Sequence, residues 1–119
     1  MTTAAPYRRD LGEQGPGAAY NAAAKFFRVF RTPASPPPDL RISHLGYDRG
    51  HTAAVDANTW LPLAALTRAV NRDAIGSLGE DVIGLPTDRS QHNTCERDAP
   101  AVLDACRDMR CDVALLVPT

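Results

Sequence analysis

A chain of 119 residues with a formal net charge of −1 fits one modest domain and gives no electrostatic reason to expect nucleic acid. Its basic residues are almost all arginine, Lys25 being the one lysine, and Arg8-Arg9 is too short a basic run to mark a polyanion site. No apolar stretch is long enough to span a bilayer, and no basic segment followed by an apolar one opens the chain, so a cytoplasmic protein with no membrane or nucleic-acid partner is expected.

Met1 to Ala5 is short and apolar and breaks at Pro6 into a polar loop, Tyr7 to Gly17, rich in Gly, Arg and acid. Ala18 to Lys25 is alanine-rich and helical by propensity, whereas Phe27-Arg28-Val29-Phe30-Arg31 alternates as a half-exposed strand does. Pro33, Pro36, Pro37 and Pro38 then rule out helix and demand an extended connection within one domain. Leu40 and Ile42 share one face and Arg41 and Ser43 the other, which predicts a strand ending near His44. A polar loop follows from Gly46 to Asn58. Pro62 suits a first helical turn, and Leu63, Leu66, Ala69 and Val70 recur at helical spacing. Val82 to Leu85 reads as a weak strand ended by Pro86. Asp98 is placed to cap a helix whose Ala99, Val102, Leu103, Cys106 and Met109 form one apolar stripe, with Arg107 and Arg110 opposing the dipole at its end.

The run Asp112-Val113-Ala114-Leu115-Leu116-Val117 has the unbroken apolar character of a strand inside a parallel sheet. Strands alternating with helices predict an α/β fold over residues 1–119: a layered, mostly parallel sheet flanked by helices, Rossmann-like or flavodoxin-like. In such sheets ligands gather beyond the carboxyl ends of strands, so chemistry is expected beside Thr119.

The densest polar cluster is Ser43-His44-Leu45-Gly46-Tyr47-Asp48-Arg49-Gly50-His51, continuing to Asp56 and Asn58, in the loop after a predicted strand. Its imidazoles, carboxylate and phenol can act as general acid and base. His44, Asp48 and His51 are also metal-ligating residue types, but their spacing matches no strong metal motif, and a purely structural loop is the plainer alternative. His92 lies in a polar run that reads as exposed loop. Three cysteines, Cys95, Cys106 and Cys111, include no CxxC pair and read as reduced thiols, Cys106 as a small hydrophobe on its helix. Cys95 as a nucleophile would need a base, for which His92 is the nearest histidine in sequence.

Asp39-Leu40-Arg41-Ile42-Ser43-His44, Tyr47-Asp48, Asp56 and Asn58 ahead of Pro62-Leu63-Ala64-Ala65-Leu66, and Ile75-Gly76-Ser77-Leu78 together resemble the glycine/sarcosine/betaine/D-proline reductase selenoprotein B family. Arg28-Val29 and the closing helix and strand up to Val117-Pro118-Thr119 fit the same order. The resemblance implies an oxidoreductase subunit that reductively cleaves a bond at the α-carbon of an amino acid or N-methylated glycine with a dithiol donor. In that family a selenocysteine or cysteine, in a U/C-x-x-C arrangement, follows the strand that residues 112–117 match. The chain is accordingly expected to be a fragment of a longer subunit, to lack that nucleophile and to be inactive alone, with more chain also expected before Thr2. The resemblance further implies a small amino-acid-like substrate and association with other reductase subunits or with itself. By its position near the expected nucleophile, the loop assigns proton handling to His44 and Asp48, support to His51, and substrate contact to Tyr47 and Asn58. No metal or separate cofactor is expected in the chain. A non-catalytic α/β binding or assembly module is the alternative.

Overall fold

The computed structural model describes residues 1–8, 10, 27–42, 56–86 and 90–119. Within them, β1 (Ala5–Pro6) pairs antiparallel with β3 (Leu40–Arg41), and β2 (Phe30–Pro33) pairs antiparallel with β4 (Asp81–Gly84). The helices are α1 (Leu63–Val70) and α2 (Ala99–Asp108). This is an α+β arrangement, and it overturns the expected layered parallel sheet of Rossmann or flavodoxin type. Among the described residues, parallel pairing is confined to isolated bridges from Thr2 to Gly84 and from Thr2 to Val117.

The apolar run near the end of the chain does not form the buried strand its composition predicts. After α2 the chain reverses through Arg110, whose φ is 52°, and the run then crosses the surface. Val113 is 86% exposed, and Leu115 and Leu116 are about half exposed. Among the described residues, Val117 alone of this run pairs, in the isolated bridge to Thr2, so apolar composition alone did not make a buried strand.

The core sits where the short sheets meet the turn before α1. Ala4, Leu40, Ile42, Trp60, Leu61 and Val82 are buried together, with Phe30, Ala34 and Leu63 packed against them. Leu40 and Ile42 do share the buried face, as their alternation with Arg41 predicts. Arg41 turns outward, 4.6 Å from the Tyr7 ring centroid and ion-paired to Asp39. The strand expected over residues 27–31 forms three residues later, where Arg31 gains Asp81 at 2.8 Å and Asp108 at 3.3 Å. That pairing, with Asp81 first, raises the Arg31 pKa further above its ordinary value.

Pro62 does precede α1, with the helix running from Leu63 to Val70. Asp98, by contrast, is not a cap. Ser90 takes that role, accepting from the Asn93 N–H at 3.1 Å, and the helical backbone runs on through a single turn (Gln91–Asn93) and a π turn (Thr94–Asp98) into α2. Asp98 is therefore already inside the helical run, with helical backbone angles, and its side chain makes no capping hydrogen bond. The helix predicted over Ala18 to Lys25 lies outside the described residues.

Candidate functional site

His44, Tyr47, Asp48 and His51 lie outside the described residues; the structure describes the two shoulders from which their loop springs. The first shoulder is β3 and the fully buried Ile42, and the second is the turn from Asp56 to Trp60. The two are tied together: the indole N–H of Trp60 donates to the Leu40 carbonyl at 2.7 Å. A tryptophan buried this deeply needs such an acceptor, and Leu40 at the sheet end supplies it.

The second shoulder is built by Asp56. Its carboxylate accepts from the backbone N–H and the side-chain amide N–H of Asn58, both at 2.9 Å, while its carbonyl accepts from Thr59. These bonds, the backbone one first, hold the Asp56 carboxyl below the ordinary carboxylate range. Asn58 itself is exposed, with one amide hydrogen engaged and no partner on its amide oxygen among the described residues.

A third element arrives at the same place. Thr2 is fully buried; its hydroxyl donates to the Trp60 carbonyl at 2.6 Å and accepts from the Ala4 N–H at 3.1 Å. The next residue, Thr3, holds Thr119: the Thr119 N–H donates to the Thr3 hydroxyl at 2.8 Å and the two hydroxyls lie 2.7 Å apart. Two backbone bonds extend this clasp, Val117 N–H to Met1 carbonyl at 2.9 Å and the Met1 α-amino group to the Leu115 carbonyl at 2.6 Å. Through Thr2 and Thr3, Thr119 and both shoulders of the polar loop converge on one segment. Sequence reasoning missed these threonines, because Thr2-Thr3 in a short apolar run signals only β propensity and gives no hint of its partners.

The remaining candidates separate. His92 and Cys95 are both exposed, one on the single helical turn and the other on the π turn. Among the described residues, no group of three or more His, Cys, Asp or Glu side chains could hold a metal ion. A groove of about 400 Å³ runs between α2 and the segment after it, lined by Val102, Leu103, Cys106, Cys111, Val113 and Leu116 among others. Cys106 is half-buried on its wall, so the apolar stripe of α2 faces this groove more than the core. Asp98 is buried at one end of it; one carboxylate oxygen accepts from Arg97 at 2.9 Å, and the other has no partner among the described residues.

Comparison with protein families, curated proteins and solved structures finds no match to the chain. Among the described residues, no helix is long and apolar enough to cross a membrane.

Proposed function

We propose that the chain belongs to a selenoprotein B-like subunit of a glycine/sarcosine/betaine/D-proline reductase and supplies the loop that faces the subunit's selenocysteine or cysteine. The observation that carries this reading is the convergence of Thr119 and both shoulders of the His44 to Asn58 loop on Thr2-Thr3. A nucleophile close behind Thr119 would then start from the side of the core where that loop is rooted. In this reading a selenolate or thiolate attacks the α-carbon, the bond from that carbon to nitrogen breaks and the leaving amine takes a proton, and an external dithiol then reduces the carbon–chalcogen bond, giving a C–H bond, the restored nucleophile and a disulfide. His44 and Asp48 deliver or accept the proton, His51 supports them, and Tyr47 and Asn58 hold a small amino-acid-like substrate. Such a nucleophile must stay reduced, which suits a cytoplasmic location. Other reductase subunits, or a second copy, are the expected partners.

The test is to extend the chain with a U/C-x-x-C segment read from its own coding DNA and to assay dithiol-dependent reduction of glycine, sarcosine, betaine and D-proline. The extended chain should turn over one of them, and His44→Ala or Asp48→Ala should each lower turnover by about 10²–10⁴-fold. A coding sequence without such a segment, or turnover untouched by both substitutions, contradicts the reading.

Exposed Val113, Leu115 and Leu116, of which Val113 and Leu116 line one groove with Leu103, favour a second reading, a non-catalytic binding or assembly module. That module requires a sharp two-state melt of the 119-residue chain by itself, whereas aggregation of the isolated chain counts against it.

A further inference from the structure

The end of α2 brings two cysteines together. Arg110, with φ 52°, occupies the left-handed position just past the helix, the Cys111 N–H donates to the Cys106 carbonyl at 2.9 Å, and the Arg110 N–H donates to the Arg107 carbonyl at 2.9 Å. This is the Schellman arrangement, in which the side chains of the two residues joined by the outer hydrogen bond characteristically touch; here they are Cys106 and Cys111. Backbone geometry limits how far apart the two can be. With about 1.5 Å from N to Cα and about 2.4 Å from O to Cα on either side of that bond, the Cα atoms are separated by at most about 6.8 Å, the upper end of what a disulfide spans.

Two further observations agree. Both cysteines are half-buried and both line the groove, so a small reagent has access to them. A Cβ on Gly79 would lie 3.5 Å from the Cys111 sulfur and 3.2 Å from that of Met109, so the glycine leaves Cys111 room beside the helix end. Cys95 lies apart on the π turn and is exposed.

We propose that Cys106 and Cys111 form a redox-active dithiol that closes to an intrachain disulfide by exchange with a low-molecular-weight disulfide of the glutathione class. One cysteine, as thiolate, attacks a sulfur of the small disulfide, whose S–S bond breaks and releases one small thiolate. The second cysteine loses its proton and attacks the protein sulfur of the mixed disulfide, forming the Cys106–Cys111 bond and releasing the second small thiol. Two protein thiols are oxidised and one small disulfide is reduced to two thiols. Closure fastens the segment after α2 to the last helical turn. The inference is independent of the reductase reading.

Trypsin makes the test direct, because cleavage after Arg89, Arg97, Arg107 and Arg110 puts Cys95, Cys106 and Cys111 on separate peptides, 90–97, 98–107 and 111–119. The folded chain is equilibrated with oxidised and reduced glutathione, quenched by alkylation, digested and weighed by mass spectrometry. The expected product is peptide 98–107 disulfide-linked to 111–119, unchanged in Cys95→Ser, with Cys106 held as a stable glutathione adduct in Cys111→Ser. Its equilibrium constant should be at least about tenfold higher for the folded chain than in concentrated urea. Separate glutathione adducts on Cys106 and Cys111, links to Cys95 of equal yield, or the same constant in urea would each overturn the proposal.

Discussion

Gly84 stands directly opposite Phe30 in the β2–β4 ladder, and the Phe30 ring covers it. A Cβ at this position would fall on three ring atoms, the most distant of them only 2.5 Å away. The strand has nowhere to retreat, since on its other side Thr2 donates to the Ile83 carbonyl at 3.0 Å and accepts from the Leu85 N–H at 2.9 Å. In Gly84→Ala the ring must therefore leave. Half-burial of a phenylalanine contributes about 1–1.5 kcal/mol, and residual overpacking adds about 1–2 kcal/mol. The lower unfolded-state entropy of alanine returns about 0.4–1 kcal/mol, leaving a net loss near ~2 kcal/mol. For a domain of this size that is a fall in Tm of about 8 °C. Urea unfolding followed by the fluorescence of Trp60, the one tryptophan, measures it. Adding Phe30→Ala removes the obstacle, so Gly84→Ala should become neutral or slightly stabilising in that background, a coupling of about 2 kcal/mol. Equal losses from Gly84→Ala in both backgrounds would refute the packing argument.

Thr2→Val keeps the shape but leaves the Trp60 carbonyl and the Ala4 N–H without their partner, and should cost about 1–3 kcal/mol by urea unfolding, with Thr2→Ser retaining much of it; a neutral valine contradicts the assignment. Arg110→Gly relieves a left-handed backbone and should raise stability by about 0.5–1 kcal/mol, whereas Arg110→Ala should not; a loss on glycine substitution would show that the Arg110 side chain matters more than its φ. Asp56 has a folded-state pKa below its unfolded value of about 3.9, so its contribution is complete above that value and is lost as pH falls through the folded pKa. Carboxyl NMR titration should show the depression, and Asn58→Ala, which removes the side-chain bond and keeps the larger backbone one, should move the pKa only part of the way back up; a full return to the unfolded value in that variant contradicts the backbone N–H as the main cause.

What the sequence made legible was local. The period of Leu63, Leu66, Ala69 and Val70 predicts a helix that forms, and the alternation of Leu40, Arg41 and Ile42 predicts the buried face correctly. What it hid depends on partners distant in sequence. The run from Asp112 to Val117 has the composition of a buried strand, but the turn at Arg110 sends it across the surface, and no local signal distinguishes the two outcomes. Asp98 has the residue type of a cap and is the one the sequence predicts; the π turn from Thr94 to Asp98 carries the helical path through it and makes Ser90 the start. The clasp at the candidate site was hidden for the same reason, since Thr2 meets Trp60 and Thr3 meets Thr119 only after folding. Of His44, Tyr47, Asp48, His51 and Asn58, Asn58 is the one described, and it is held by Asp56, the acid two positions before it.

Dithiol-dependent turnover bears most directly on the proposed reductase role. The 119-residue chain should give no reduction of glycine, sarcosine, betaine or D-proline, and the chain extended through a U/C-x-x-C segment should reduce one of them, with activity lost when that nucleophile is replaced by serine. Turnover by the 119-residue chain itself, or an extended, folded chain inert toward all four, would contradict it.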